Sequence, residues 1–301
     1  MSPRVFLGWL VLTAVTVVLT IVVGIGRETS SFDLIKREPV FAELREAPDS
    51  AARIEVKSRF GAFTMIRDGD GWVTPDRDDF PIDEGDIRRL IIGLSDMRFV
   101  ERKTEKPERF YRLEVQDVDV ELSDSVYVKV MNTQGAVLAE TIVGRPSARF
   151  FDGRASGTYI READSNNVWL VTGVTNVQTR LIPWLQREIV GIPANLVASI
   201  SVGAGEGAYT LSRAAPSDEV FAISGAPEGR KLDADKATPV SRALAKVELE
   251  DVRPRSELEL PADAATASVT TFDGLTVNVR LADLDRKKWA TFEAAYTGDP
   301  A

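Results

Sequence analysis

The chain has 301 residues, a formal net charge of −9 and 44% hydrophobic residues, a composition typical of a folded protein with one large or two modest domains. It contains no cysteine and no histidine, which excludes disulfides, thiolate chemistry, Ser-His-Asp catalysis and His-ligated zinc. The acidic balance also predicts no nucleic-acid partner, because phosphate binding needs concentrated lysine and arginine.

The first predicted element is a membrane anchor. Val5 to Ile25 is a run of 21 residues without a charge, bracketed by Arg4 and Arg27. As a helix rising about 1.5 Å per residue it would be roughly 31 Å long, which matches the hydrocarbon core of a bilayer. A cleaved signal peptide, the alternative, has a shorter apolar core. We therefore predict a transmembrane helix that contacts membrane lipid over residues 1–26, and a juxtamembrane segment over 27–53.

A seven-residue stretch then occurs twice in the chain. GAFTMIR at Gly61–Arg67 returns as GAYTLSR at Gly207–Arg213, and Ile54–Val56 is related to Ile200–Val202 by the same offset. The repetition predicts an α+β fold made of a duplicated, mainly antiparallel β unit with one helix per repeat. Its predicted parts are a first repeat over 54–177, a connecting segment over 178–199, and a second, shorter repeat over 200–301.

Each copy is expected to contain one helix after its first hairpin. In the first copy Asp83 is the predicted N-cap, and apolar residues follow at helical spacing, namely Ile87, Leu90, Ile91 and Leu94. In the second copy Pro239 would break a helix that began earlier. We therefore expect that helix to begin at Pro239, with Thr238 as its N-cap.

Each predicted helix is followed by an alternating strand and then by a hairpin. The expected strands are 98–101, 126–130 and 137–143 in the first copy, and 247–250, 268–272 and 275–281 in the second. Asp273-Gly274 between the last two is a strong hairpin signal. The connecting segment is expected either to pack onto a sheet or to form a plain helix.

Several motifs, taken in order, resemble the bacterial "domain of unknown function 4340" family between about Ile54 and Glu293. They are GWVTP at Gly71–Pro75, LEV at Leu113–Val115, TIVGRPS from Thr141, GTYIREADSNNVWLVTG at Gly157–Gly173 and WLQREIVGIPANLV from Trp184. The resemblance implies a single-pass protein of the bacterial inner (cytoplasmic) membrane whose C-terminal region lies in the periplasm. It also implies ABC-transporter subunits of the gliding-motility type as partners, and no established catalytic activity. The oligomeric state stays open.

Two kinds of chemistry are weighed against simpler interpretations. The acidic run from Asp68 to Asp86 invites a calcium site, but it lacks the spacing and the closing glutamate of an EF-hand loop, so turns and a helix cap are favoured. A pair of carboxylates could serve a glycosidase, although the sequence does not single out a pair. We predict no metal, no cofactor and no catalytic residue.

The best candidate for a contact surface is the stretch from Gly144 to Arg161. It combines arginine with adjacent aromatic residues, which protein interfaces favour. The candidate interaction residues are Arg145, Arg149, Phe150, Phe151, Arg154 and Arg161. In the alternative interpretation the stretch is a β-hairpin with its phenylalanines in the core and its arginines in water.

These observations predict a non-catalytic, membrane-anchored, extracytoplasmic accessory or scaffold protein that works with an ABC-type transporter. One alternative is an extracytoplasmic module that binds a glycan or a peptide at a sheet face or edge. That alternative predicts a pocket or an unpaired edge strand lined by residues that are present in only one repeat. A carboxylate-dependent hydrolase, the second alternative, predicts converging acidic residues with at least one raised pKa.

Overall fold

A computed structural model describes residues 13, 15–17, 38–150, 155–173, 177–218, 220–225 and 239–298. The chain divides into two compact units, a first unit over 1–185 and a second unit over 186–301. The division falls inside the segment 178–199 that was predicted to connect two repeats. Each unit is built on its own antiparallel sheet.

The described strands of the first unit form a nine-stranded sheet in the order β4-β3-β2-β1-β6-β7-β8-β9-β5. These strands are β1 (Ala51–Ser58), β2 (Gly61–Asp68), β3 (Gly71–Thr74), β4 (Phe80–Pro81), β5 (Phe99–Thr104), β6 (Val126–Asn132), β7 (Val137–Phe150), β8 (Ala155–Glu162) and β9 (Val168–Thr172). The predicted strand at 98–101 and the predicted hairpin at 126–143 are confirmed as β5 and as the β6–β7 pair.

Two α-helices accompany this sheet, α1 (Ala42–Glu46) and α2 (Glu84–Ser95). The predicted cap of α2 is confirmed, because the Asp83 side chain accepts a hydrogen bond from the backbone N–H of Asp86 at 3.0 Å. The apolar face of α2 is also confirmed, since its four predicted residues are buried. The helix therefore follows its 3.6-residue pattern and turns the charged side chains Arg88 and Arg89 outward.

The described strands of the second unit form a six-stranded sheet in the order β13-β12-β11-β15-β16-β17, together with a separate β10–β14 pair. They are β10 (Glu188–Val190), β11 (Val197–Val202), β12 (Tyr209–Ser212), β13 (Ala222–Ser224), β14 (Val247–Glu248), β15 (Ala265–Thr271), β16 (Leu275–Leu284) and β17 (Lys287–Tyr296). The predicted hairpin around Asp273-Gly274 is confirmed as the β15–β16 pair. Gly274 supplies the positive φ of 94° that its turn requires.

The two sheets share strand order and register. The run β3-β2-β1-β6-β7-β8 corresponds strand for strand to β13-β12-β11-β15-β16-β17. Ile54 pairs with Met65 in the first unit, and Ile200 pairs with Leu211 in the second, so the offset of 146 holds on both strands. The pairing of the central strand also shifts at equivalent places, after Ala51 and after Val197. The repeated stretches are therefore the second strand of the same structural unit.

The predicted α+β fold class is wrong. Within the described ranges the architecture is mainly antiparallel β, not α+β, and no helix there is long and apolar enough to cross a membrane. The predicted membrane span lies outside the described residues, apart from Thr13, Val15, Thr16 and Val17. In the second unit helical conformation is seen at 239–241, and the residues before it are not described.

The segment between the predicted repeats is not a plain helix. It contains a 3₁₀ turn at Ile182–Trp184, strand β10 and a second 3₁₀ turn at Ala194–Leu196. Pro183 and Pro193 explain this, because proline removes a donor that a continuing α-helix needs. Trp184 and Leu185 are buried in the first unit, where the backbone of Trp184 accepts a hydrogen bond from Asp83 N–H.

The cap of α2 gives a first test. We expect Asp83→Ala to lower the free energy of unfolding by about 1 kcal/mol, because the Asp86 N–H loses its acceptor. Asp83→Asn is the matched control and should retain most of the stability, since asparagine also caps helices. Urea denaturation of both variants measures the difference. Equal stability of the two would contradict a capping role for this carboxylate.

Candidate functional site

The structure describes the side chains of two of the six predicted interaction residues, Arg145 and Arg161. Arg145 is exposed on β7, and its guanidinium lies 5.8 Å from the centre of the Tyr159 ring. Arg149 and Phe150 belong to the backbone of β7, but their side chains lie outside the described part of the structure. Phe151 and Arg154 also lie outside the described residues. For these five residues an interaction role stays a prediction.

Arg161, the sixth residue, is an internal clamp and not a surface group. Only 5% of it is exposed. Its guanidinium donates to the carbonyl of Val115 at 2.8 Å and to the carbonyl of Ser165 at 3.2 Å, and it forms an ion pair with Asp117. It also lies 5.0 Å from the centre of the Phe110 ring. One buried side chain thus ties strand β8 to the segment that runs across the sheet before β6.

Gly144 allows the same segment to lie close to β7. A Cβ atom at this position would come within 2.3 Å of the Leu113 carbonyl oxygen and 2.6 Å of Val115 Cγ1. The N–H of Arg145 donates to the same Leu113 carbonyl at 3.1 Å. Glycine is required here because the two backbones touch, and not because of an unusual φ. The residues beneath this crossing form a small apolar cluster with Phe110, Val115, Ile142 and Val168 at its centre.

A groove of about 650 Å³ lies along the outer side of β17. Lys287 and Trp289 from one face of β17 line it together with Ala290 and Phe292 from the other face. Because β16 occupies the inner side of β17, a cavity lined by both faces must follow the outer edge. Its opposite wall is formed by Ile189 and residues 247–251. We call this cavity the β17 groove.

The β17 groove has apolar walls and a charged rim. Leu249 and Trp289 are buried, while 41% of Ile189 is exposed. On the rim, Lys246 donates to Glu248 at 2.7 Å, and this hydrogen bond holds the pKa of the Glu248 carboxyl below its usual value. Lys287 and Asp251 face each other across 3.8 Å. These ion pairs engage Glu248, Asp251 and Lys287 on the rim, and the outer backbone edge of β17 has no partner strand within the described residues.

A smaller cavity of about 330 Å³ lies in the first unit, between the start of β2 and residues 179–182. It is lined by Arg77 and Arg180, of which Arg180 stacks 4.2 Å from the centre of the Phe60 ring. Asp76 at its side accepts a hydrogen bond from the N–H of Thr64 at 2.7 Å.

Over the described ranges, no group of three or more acidic side chains is placed to hold a metal ion. Asp76 and Asp83, from the acidic run weighed for calcium, instead support a turn and a helix.

The comparison with known families identifies the chain over most of its length. The model of the family "Domain of unknown function (DUF4340)" matches residues 72–270. The chain belongs to this family. Among curated proteins no sequence matches it.

Three motifs that carry the DUF4340 resemblance meet at one place in the structure. Leu113–Val115 is the segment that crosses the sheet. Gly144 leaves room for this segment beside β7, and Arg161 fixes it by donating a hydrogen bond to the Val115 carbonyl. None of the three presents a reactive group to a cavity among those described. In this DUF4340 chain the motifs therefore fix the architecture of the sheet, and the arginine that looked like a contact residue belongs to that architecture.

A second polar cluster of the DUF4340 chain lies on the sheet around Tyr127. Its hydroxyl donates to Glu140 at 2.5 Å, Lys129 pairs with the same carboxylate at 3.3 Å, and the ammonium of Lys57 lies 5.1 Å from the centre of the ring. Burial raises the pKa of the Tyr127 phenol, and the hydrogen bond to Glu140 raises it further. The phenol therefore stays protonated in alkali that ionises an ordinary tyrosine.

Arg161 and Arg145 form a matched pair for a stability test. We expect Arg161→Met to lower the free energy of unfolding by about 2–3 kcal/mol, because it leaves the buried carbonyl of Val115 and the partly buried carbonyl of Ser165 without this donor. Arg145→Met removes an exposed arginine from the neighbouring strand and should change stability by no more than about 0.5 kcal/mol. Chemical denaturation followed by circular dichroism gives both values. Similar losses in the two variants would contradict the clamp.

The Tyr127 phenol gives a pH-dependent test. Its raised pKa means that its stabilising contribution is complete below the ordinary tyrosine pKa of 10.0 and is lost as pH rises above it. We expect the wild-type protein to exceed Tyr127→Phe in unfolding free energy by about 1 kcal/mol at neutral pH, and by less in strong alkali. In an ultraviolet absorbance titration, the tyrosine that ionises at the highest pH in the wild type should be absent in Tyr127→Phe. The control Tyr159→Phe should retain it, and loss of that phase in the control would contradict the assignment.

Proposed function

We propose that this protein is a non-catalytic accessory or scaffold protein that acts through protein contacts outside the cytoplasm, at the bacterial cytoplasmic membrane. Its proposed partner is a membrane-embedded subunit of an ABC-type transporter. Membership of the DUF4340 family supports this proposal, since the resemblance carries that association. The long outer edge of β17, which has no partner among the described strands, is the single structural observation that supports action by contact.

The chemistry of the side chains also supports a role without catalysis. The chain has neither histidine nor cysteine, the residues that most often serve as base or nucleophile near neutral pH. In the described part of the chain the two carboxyl groups with a shifted pKa, Glu248 and Asp273, are both shifted downward, by hydrogen bonds from Lys246 and Thr271. A general acid would need a carboxyl pKa shifted upward. The hydrolase alternative therefore draws no support from these groups.

An extracytoplasmic peptide-binding module is the second candidate, and the β17 groove favours it. Among the described strands, β17 has no partner on its outer side, whereas the equivalent strand β8 of the first unit is covered by β9. This observation supports the alternative, which predicts an unpaired edge strand lined by residues that are present in only one repeat. The two candidates agree on a contact function and differ in whether the bound chain belongs to a transporter.

Affinity purification tests the proposal. The full chain, tagged and expressed in its bacterial host, is captured from membranes in a mild detergent, and captured proteins are identified by mass spectrometry. We expect subunits of an ABC-type transporter to be enriched over a capture with an unrelated tagged extracytoplasmic protein. Recovery of no transporter subunit, together with a specifically bound sugar, would replace the proposal with a glycan-binding role.

A further inference from the structure

The two large sheets have four edges in the described part of the chain, and these edges differ in how they are protected. β4 has two residues and β13 has three, so each offers little edge to pair with. β5 is longer, but its pairing with β9 shifts register twice. Short edge strands and irregular pairing are two ways in which proteins prevent a sheet from adding another strand. These three edges are therefore poor acceptors.

The fourth edge, β17, lacks both kinds of protection. It has ten residues and pairs with β16 over ten consecutive positions without a shift in register. The N–H of Thr297 donates to the Gly274 carbonyl in this same register, so odd-numbered residues of β17 direct their backbone groups toward β16. Even-numbered residues, including Lys288, Ala290 and Phe292, therefore direct theirs into the β17 groove. The edge is long, regular and equipped with backbone donors and acceptors.

The first unit shows what covers the corresponding edge. There β9 pairs with β8 over five residues, and β5 pairs with the other side of β9. β9 has apolar residues on both of its faces, and its Val168, Leu170 and Val171 are buried. Since β8 corresponds to β17 in strand order, the place that β9 fills lies beside the outer edge of β17.

The far wall of the groove also has a counterpart in the first unit. In the first unit Arg98 forms an antiparallel bridge with Pro39, and β5 begins at the next residue. In the second unit Glu248 pairs antiparallel with Glu188, and residues 249–251 follow it directly. Residues 249–251 therefore correspond to the start of β5. In the first unit β9 lies between β8 and β5, and in the second unit the β17 groove lies between β17 and 249–251. The groove occupies the place of one strand.

We propose that the β17 groove accepts an extended segment of another protein, which pairs antiparallel with β17 as β9 pairs with β8. The segment would carry apolar side chains at successive positions, because the groove presents Ile189, Leu249, Trp289 and Phe292 from its two walls and both faces of its edge. Main-chain hydrogen bonds supply affinity in this mode of recognition, and the side-chain pockets supply selectivity. This inference rests on the proposed contact function and names the chemistry of the contact.

A synthetic peptide with the β9 sequence is the probe. The labelled peptide NNVWLVTG, residues 166–173, is titrated with the full chain and binding is followed by fluorescence anisotropy. We expect saturable binding that weakens about tenfold or more in Ala290→Pro, which removes a donor directed into the groove. Proline is tolerated where an edge strand directs its N–H outward, so pairing with β16 should survive. The matched control Ala290→Ser keeps the N–H and should bind as the wild type does.

Modified peptides extend the test without changing the protein. In the first unit the N–H of Gly173 donates to the backbone carbonyl of Ser156 in β8. The N–H of Thr172 points the other way and donates to the backbone carbonyl of Arg98, next to β5. By alternation, Trp169 and Val171 also face β8. We expect a peptide that is N-methylated at Trp169 and Val171 to lose binding, because these two N–H groups face the strand it pairs with. A peptide that is N-methylated at Leu170 keeps both groups and should bind more tightly than the doubly methylated peptide. This comparison remains valid if Ala290→Pro does not fold.

Three outcomes would overturn the inference: no saturable binding, binding unaffected by Ala290→Pro, or equal loss with both N-methylated peptides. Concentration-dependent dimers that disappear in Ala290→Pro would also overturn it, because the occupant would then be a second copy of this chain. A different result would overturn the proposed function. Transporter subunits captured equally by wild type and Ala290→Pro would remove only the strand inference, whereas peptide binding without any captured transporter subunit would remove only the transporter.

Discussion

A β-sheet must satisfy or shield the backbone hydrogen-bonding groups along both of its edges, and this constraint governs the difference between the two units. In the first unit the chain continues past β8 and supplies β9 and β5 to the same sheet. In the second unit the corresponding sheet ends, within the described residues, at the regular strand β17. One set of strand pairings is thus present twice, completed internally in one unit and open to another chain in the other.

The crossing of residues 113–115 over β7 and β8 shows how a few family motifs can determine a sheet without contributing chemistry. Gly144 lets two backbones touch, and Arg161 donates to the buried carbonyl of Val115 and to the partly buried carbonyl of Ser165. Arginine suits this role because its planar group offers several donors in fixed directions. A buried arginine whose three guanidinium nitrogens all donate hydrogen bonds and an exposed arginine at an interface look the same in a sequence, so the sequence pattern does not distinguish Arg161 from Arg145.

Local patterns predicted the parts of the fold that depend on neighbours in sequence. The cap at Asp83 and the turn at Asp273-Gly274 were recognisable because helix capping and hairpin turns use particular residues. The hairpin that leads into β17 was missed. Its two-residue turn is Asp285-Arg286, with φ of 52° and 63°, a geometry that usually calls for asparagine or glycine. The β17 groove could not be predicted at all, since an open edge depends on which distant strands lie side by side.

The repeated arginine that ends GAFTMIR and GAYTLSR has diverged in its surroundings. Arg67 is exposed and lies 5.6 Å from the centre of the Trp72 ring. Arg213 instead donates to the carbonyls of Val197, Ala194 and Asp218, and it lies near the rings of Phe221 and Phe272. After a duplication each copy is free to acquire different neighbours while the inherited residue stays the same. Sequence identity between the internal copies therefore reflects common ancestry. It does not show that a residue has the same role in both copies, so the role has to be established separately for each.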